Sequence, residues 1–552
     1  ADPDPVTRAE LEALLASGDE TELLERMAGV LEFGTAGIRG AVGAGSNRMN
    51  RAVVIRTTRG LADFLADAGR SNGTVVLGFD GRLSSRRFAA DAIGVLAAAG
   101  IDVRYFPEPA PTPLVAHAAR RLEAVAAVVV TASHNPRQDN GYKVYDANGA
   151  QIVPPVDTRI ASAIEAVGPA NEVPRLDLAD SGAVPIGEVA VADYVEEVIT
   201  RRAATRRRPD LRIVYTPMHG VGRSVLERVF HAAGYRGLTA VPEQADPDGR
   251  FPTVAFPNPE EPGALDLATA LAVEVGADLV LANDPDADRL AVQVPDGDAY
   301  RTLTGNQIGV LLADFVLEHD TGGGALVVNS IVSSPMLAEV ARHHGARFEQ
   351  TLTGFKWIAN AAMDLQRDEG LRFVFGYEEA LGYTVGPTVR DKDGISAALW
   401  FADLTAAGLE EGTGVLGRME RLYRRHGIWV SVQKSLVRPG GQGIAEIAAA
   451  MEALRLRTPD RLGGHDVVGV TDYREGAGDR PRWLPAAALV AFDLGEAGRA
   501  LVRPSGTEPK LKIYADRRAD IGEAADVWAA EAAARRDGMA VADDLAAFLG
   551  LA

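Results

Sequence analysis

The chain has 552 residues, too many for one hydrophobic core when domains run to about 100–200 residues, so roughly three to five domains are expected. It carries 76 Asp and Glu against 57 Lys and Arg, a net charge of −19 that repels polyanions such as nucleic acid and leaves any phosphate-bearing ligand to local cations. Cysteine is absent, which excludes disulfides, thiol catalysis and Cys-ligated metals.

Hydrophobic residues make up 47% of the chain, enough for several cores, yet no apolar run approaches the ~20 residues of a membrane span. The first fifteen residues lack a basic start followed by an apolar stretch. The expectation is a cytoplasmic protein that binds neither nucleic acid nor membrane.

Taken in order, the chain predicts one helix over 7–27 and then the stretch 32–40, where three glycines surround Arg39. Glycine lets backbone approach an anion closely, and a guanidinium can fork onto a phosphate. From Thr74 a unit begins that recurs. A strand at 75–80, a helix closed by Gly100 and a strand at 101–106 are followed by 213–217, a helix closed by Gly234 and 238–241, then by 325–329, a helix closed by Gly345 and 346–352.

Each unit leads to a further apolar strand that ends in a polar loop. These are 126–130 before Thr-Ala-Ser-His-Asn-Pro at 131–136, 279–282 before Asn-Asp-Pro-Asp-Ala-Asp-Arg at 283–289, and 373–375 before Gly-Tyr-Glu-Glu-Ala-Leu-Gly at 376–382. Open α/β sheets present ligands at such strand ends. After about Gln433 the character changes: a glycine-rich tract at 440–443 reads as a linker, followed by a helix at 445–456 and strands at 487–494 and 500–502 beside the loop 503–510.

The loop chemistry is specific. The β-branched run before Ser133 ends in a turn that is expected to expose its hydroxyl. His134 invites a hydrolase reading, but sequence neighbours do not generally face each other and the Gly-x-Ser-x-Gly elbow is absent. Asp284, Asp286 and Asp288 put three like charges at alternate positions, which calls for a cation, and oxygen-only ligands suit Mg²⁺. A calcium EF-hand fits poorly, because Arg289 and Pro295 stand where its loop wants Gly and Glu. A phosphoryl group carried on Ser133, with the metal held against it and Lys143 in the same pocket, fits better than a triad. Glu378 and Glu379 can accept hydrogen bonds from sugar hydroxyls, and Arg503, Ser505, Gly506 and Thr507 form a donor cluster suited to a dianionic phosphate.

In this order, the motifs at 34–39, 131–136, 284–289, 376–382 and 503–507 resemble the α-D-phosphohexomutase superfamily, and within it the branch of phosphoglucomutases, phosphomannomutases and phosphopentomutases. The resemblance spans almost the whole chain. It implies an α/β protein of four domains around a central cleft, three related α/β domains with mixed sheets (1–205, 206–318, 319–434) and a distinct α+β C-terminal domain (435–552).

It implies further that Ser133 is a phosphoserine exchanging its phosphoryl group with a sugar monophosphate by way of a bisphosphate. Asp284, Asp286, Asp288 and the phosphoserine would bind Mg²⁺, and Arg39 and Arg289 would steady the transferring group. Lys143 and His134 would move protons. Thr353, Gly354, Glu378 and Lys392 would hold the sugar, and Arg503, Ser505, Gly506 and Thr507 the phosphate that does not react. Glucose 1,6-bisphosphate would serve as primer, and a monomer or homodimer is expected.

One position departs from the family: Ala380 stands where many members have Ser, which leaves glucose, mannose and pentose phosphates open as substrates. A glucose 1,6-bisphosphate synthase is a close alternative. Two others are an aspartyl-nucleophile phosphatase or mutase, suggested by the strand before Asp284-Pro285-Asp286, and a non-catalytic sugar-phosphate-binding protein.

Overall fold

The computed structural model describes residues 2–35, 37–202, 210–438, 440–505, 510–521 and 526–551. Its contacts divide the chain into two compact units, one of Ala1–Leu303 with Leu381–Ala407 and one of Thr304–Ala380 with Gly408–Ala552.

The first unit holds two sheets. Strands β1 (Ile38–Ala41), β2 (Thr74–Phe79), β3 (Asp102–Tyr105), β4 (Ala126–Val130), β5 (Asp139–Asp146) and β6 (Val184–Pro185) are ordered β1-β5-β4-β2-β3-β6. β4, β2, β3 and β6 run parallel, and β5 and β1 add antiparallel at one edge. Every residue of β4, Ala-Ala-Val-Val-Val, is buried, as expected of a central strand covered on both faces by helices. Strands β7 (Ile213–Thr216), β8 (Leu238–Ala240), β9 (Leu279–Ala282), β10 (Ala291–Asp296) and β11 (Ala299–Thr302) repeat the scheme. β8, β7 and β9 are parallel, and β10 and β11 form an antiparallel edge.

In the second unit β12 (Ala325–Ser330) lies between β13 (Arg347–Thr351) and β14 (Arg372–Glu378), all parallel. In all three sheets the first strand of the unit is central, flanked by the next strand and by the one that leads into the polar loop. The recurrence read from the sequence is therefore a recurrence of topology. The C-terminal part differs: Ile428–Val437, Lys510–Ala519, Gly498–Pro504, Val490–Asp493 and Gly469–Asp472 make a five-stranded antiparallel sheet, against which the helix Val527–Phe548 packs.

Two local expectations are corrected. The predicted helix at 7–27 is two helices, Pro5–Ser17 and Glu20–Met27, because Gly18 takes a left-handed φ of +69° and Asp19 caps the second by accepting from the Glu22 amide. The glycine-rich tract at 440–443 is not a linker but opens the helix Gly440–Leu456. There tertiary context overrides the low helix propensity of glycine.

Candidate active site

The loop after β4 is held by a charged pair at the end of β2. Asp80 accepts from the Arg82 amide (3.0 Å), Ser85 Oγ (2.6 Å) and Thr131 Oγ1 (2.7 Å), and Thr131 Oγ1 accepts from the Ser133 amide (2.8 Å). Arg82 donates to four loop carbonyls: through Nη2 to Ser133 and Asn135 (2.7 Å each), and through Nη1 to Pro136 (2.8 Å) and Asp139 (2.9 Å). Ser133 is thereby fixed at φ +52°, a left-handed conformation that costs a non-glycine residue of order 1–3 kcal/mol and recurs at functional sites.

Two expectations about Ser133 change. It is 2% exposed, not a solvent-facing hydroxyl, and the left-handed turn brings the adjacent ring alongside, with His134 Nδ1 3.1 Å from Ser133 Oγ.

The loop after β9 meets this hydroxyl. Ser133 Oγ donates to Asp284 Oδ2 at 2.9 Å. Asp284, Asp286 and Asp288 are fully buried and each turns a carboxylate oxygen to a common point, the three atoms lying within 4.8 Å of one another. Ala287, between two of them, also takes a positive φ (+57°). Lys143, on β5, is 2% exposed and donates to Asp286 Oδ2 (2.7 Å) and Asp288 Oδ2 (2.9 Å). Thr112 Oγ1 donates to Asp286 Oδ2 as well (2.6 Å), and the Thr112 amide donates to the Asp286 carbonyl (2.9 Å). Buried Asp286 Oδ1 and Asp288 Oδ1 accept no hydrogen bond from the described residues. Unsatisfied carboxylate oxygens at zero exposure fit a hard cation with oxygen ligands, so the triplet can hold a divalent metal.

The charges explain the titration of the cluster. Burial and the neighbouring Asp288 and Asp286 push the Asp284 carboxyl well above its ordinary value. Burial alone would raise Asp286 and Asp288 too, but Lys143 beside them leaves both below the ordinary carboxylate value. Burial works against the Lys143 cation, and Asp286 and Asp288 more than offset it. Burial, with Arg289 and Arg39 nearby, holds His134 well below the usual imidazole value, so it is neutral at pH 7.

Arg39 lies on β1, whose partner is β5. The approach is close: a Cβ at Gly37, itself at φ +77°, would fall 2.0 Å from the Tyr142 carbonyl oxygen. The Arg289 amide donates to Asp284 Oδ1 (3.0 Å), and its guanidinium is 3.5 Å from Glu260.

Lys392, expected among the sugar-holding residues, lies in the first compact unit with Nζ 3.3 Å from Asp288 Oδ2. Thr353, Gly354 and Glu378 belong to the second unit, where the Gly354 amide donates to Glu378 Oε1 (2.7 Å) and Thr353 Oγ1 is buried without a hydrogen-bond partner among the described residues. Glu379 accepts from Ser330 and Ser333 Oγ (3.1 and 3.0 Å). Arg503 donates to Tyr514 OH (3.3 Å) and the Ser505 amide to the Lys510 carbonyl (2.8 Å), whereas Gly506 and Thr507 lie outside the described residues. Sequence reasoning missed Arg82 and Thr112. The only available hint for Arg82 was its place just after the strand at 75–80, in the same position as the other loops.

Four models of phosphoglucomutase/phosphomannomutase domains match in order: α/β/α domain I over residues 30–170, domain II over 192–297, domain III over 304–425 and the C-terminal domain over 444–534. The chain belongs to the phosphoglucomutase/phosphomannomutase family, within the α-D-phosphohexomutase superfamily. It is therefore an enzyme of the phosphoryl-transferring mutase class with three related α/β domains and a distinct C-terminal one.

A Haemophilus influenzae protein named "Probable phosphomannomutase" is 41% identical over 490 residues, 88% of this chain and 96% of its own. The human phosphopentomutase is 36% identical over 93% of this chain and 89% of its own, and the human glucose 1,6-bisphosphate synthase 34% identical over 93% and 88%. Among solved structures, pp63/parafusin of Paramecium in an open form shares the fold, with a TM-score of 0.70 at 19% identity over 94% of this chain and 95% of that one. No helix among the described residues is long and apolar enough to cross a membrane.

Proposed function

We propose that the protein is an Mg²⁺-dependent phosphosugar mutase that interconverts the 1-phosphate and 6-phosphate of glucose, and also of mannose, through phosphorylated Ser133 and a hexose 1,6-bisphosphate. The observation that carries this reading is the buried Ser133 hydroxyl, held at a left-handed turn and hydrogen-bonded into a triplet of buried carboxylates. Asp284, Asp286 and Asp288 would hold Mg²⁺, which supplies charge neutralisation at the phosphoryl oxygens when bound.

Transfer breaks the bond from phosphorus to Ser133 Oγ and forms one to a sugar hydroxyl oxygen. The proton of that hydroxyl goes to a base, for which neutral His134 is suited, and from it to the Ser133 oxygen that leaves phosphorus, while Lys143 and Arg39 remain cationic and steady the phosphoryl group. In the second half-reaction the bond from the other phosphorus to its sugar oxygen breaks, Ser133 Oγ takes that phosphoryl group, and the serine proton passes through His134 to the sugar oxygen. Burial of Ser133 favours this over hydrolysis, because water must be excluded for a phosphoserine to last through the turnover. Thr353, Gly354 and Glu378 are assigned to the sugar, and Arg503, Ser505, Gly506 and Thr507 to the non-reacting phosphate.

The test is conversion of glucose 1-phosphate to glucose 6-phosphate with Mg²⁺ and catalytic glucose 1,6-bisphosphate. Protein labelled from the bisphosphate keeps an acid-stable, hydroxylamine-resistant phosphate, and Ser133→Ala loses both label and turnover, by a factor of about 10⁴ or more. Label that persists in Ser133→Ala sinks the assignment. A pentose preference is the second reading, favoured by Ala380 and by the relatives named phosphopentomutase. Comparing kcat/KM over hexose and pentose 1-phosphates decides between them, and bisphosphate formation from a separate phosphoryl donor would instead indicate a synthase.

A further inference from the structure

Lys392 reaches Asp288 from a segment anchored on both sides. Asp393 accepts from Tyr194 OH (2.7 Å) and from the Ile395 and Ser396 amides (3.1 and 3.0 Å), so it caps the helix Gly394–Glu410 immediately after the lysine. On the other side Asp391, 1% exposed, divides its two oxygens. Oδ1 accepts from the Lys392 amide (2.8 Å) and Lys392 Nζ (3.3 Å), whereas Oδ2 accepts from Tyr145 OH (2.7 Å) and Gln151 Nε2 (2.8 Å).

Tyr145 is fully buried and lies two residues after Lys143 on β5, hence on the same face of the strand. One strand face thus controls two lysines that converge on Asp288 Oδ2, Lys143 directly at 2.9 Å and Lys392 through Asp391 at 3.3 Å.

We infer that Tyr145, with Gln151, is a positioning residue of the active site: by fixing Asp391 it aims the Lys392 ammonium at Asp288 and at the phosphoryl oxygens that arrive there. Lys392 holds Asp391 at Oδ1, through its amide and its ammonium, and about that point the carboxylate could turn with the lysine. Two donors on Oδ2 remove that freedom. Arrest of this kind matters for a group that must stand within a fraction of an ångström of its target. The inference rests on the proposed mutase chemistry only for its kinetic consequence. The position of Lys392 can be read without substrate.

The test uses the full-length protein and two variants, Tyr145→Phe and the less buried Gln151→Leu. Acetylation of Lys392 by a water-soluble reagent, followed by mass spectrometry, is expected to rise about tenfold in Tyr145→Phe and less in Gln151→Leu, the scale of one lost hydrogen bond to a charged group, while Lys434 reacts at an unchanged rate. With glucose 1-phosphate, kcat is expected to fall about tenfold at constant KM, and Tyr145→Phe placed on Lys392→Ala to change kcat less than twofold further.

Unchanged acetylation of Lys392, or an equal kcat loss with and without the lysine, overturns the inference and leaves Tyr145 a structural tyrosine. If the wild-type protein turns over no sugar phosphate, the mutase reading fails separately and the acetylation rates alone decide the role of Tyr145.

Discussion

The loops after β4 and β9 occupy the same place in two repeats of one topology, and each has a non-glycine residue at positive φ, Ser133 at +52° and Ala287 at +57°. They are held in opposite ways. The Ser133 loop is gathered about one charged pair: Arg82 bonds four of its carbonyls, and Asp80 holds Thr131, which accepts from the Ser133 amide. The Asp284 loop is held at many points: the Val221 amide donates to the Pro285 carbonyl, Asn283 donates to the Arg289 carbonyl, Thr112 binds Asp286 twice, and a Cβ on Gly220 would come within 2.5 Å of Pro285. On the proposed chemistry, the loop that exchanges a phosphoryl group is fixed through its backbone, which leaves the serine side chain to the reaction. The loop proposed to hold the cation is fixed around its carboxylates, so that each presents a chosen oxygen.

The contrast is broken most severely at Arg82. Arg82→Met leaves Asp80 a buried carboxylate without its cation and takes the guanidinium from four carbonyls, and removing one partner of such a pair typically costs about 3–5 kcal/mol. The first thermal transition is expected to fall by roughly 10 °C in a melt, and turnover to fall with it as Ser133 leaves its left-handed turn. Arg82→Lys is expected to recover part of the stability and little of the activity, because an ammonium restores the charge but cannot fork to four carbonyls. A variant with native melting and native kcat would show that the loop holds itself.

That anchor also marks the limit of what the sequence revealed. Ser133 and the Asp triplet were legible because each sits at the end of an apolar strand, and because carboxylates at alternate positions are too costly to leave without a cation. Arg82 and Thr112 were not, because their partners are distant in sequence: the carbonyls that Arg82 binds are 51 to 57 residues away, and Asp286 is 174 residues from Thr112. No local spacing encodes such pairs. The same holds for Asp391, whose bond to Tyr145 spans 246 residues. The closeness of the His134 ring to Ser133 was missed for a different reason, since the rule that neighbours point apart assumes ordinary backbone and fails at a positive φ. The three-fold repeat of elements and the change of character after Gln433 needed only periodicity and composition, so the fold was more readable than the supports of its site.

A milder intervention tests the distributed half of the comparison. Thr112→Val keeps the side-chain volume and removes one donor to Asp286 Oδ2, leaving Lys143 on the same oxygen. Partners that orient a ligating carboxylate are commonly worth about 10–100-fold in metal affinity, and the remaining lysine places this one near the lower end. In a thermal-shift titration with Mg²⁺, the half-saturating concentration is expected to rise about tenfold while the melting temperature of the metal-free protein barely moves. An unchanged titration would mean that Lys143 alone orients Asp286.

The smallest effect distinguishes the two loops by the sign of their response to acid. Lys143 and the other neighbouring cations hold the Asp288 carboxyl below its unfolded value of 3.8 against the effect of burial, so the folded protein resists protonation there. The unfolded chain binds that proton first, and the stabilisation, present above about pH 4, is lost as the pH falls further. Asp80 is shifted the other way, because burial raises it despite Arg82 and its hydroxyl donors. Its folded form takes up the proton at a higher pH than the unfolded chain, so protonation of Asp80 contributes stability as the pH falls towards 3.8. In melts of metal-free protein between about pH 5 and 3, Asp288→Asn is therefore expected to flatten the decline in melting temperature, whereas Asp80→Asn is expected to lower the whole curve and leave its acid side at least as steep. The two slopes, more than the two absolute stabilities, report whether the carboxylate that anchors the Ser133 loop and the one in the aspartate triplet are held by burial or by charge.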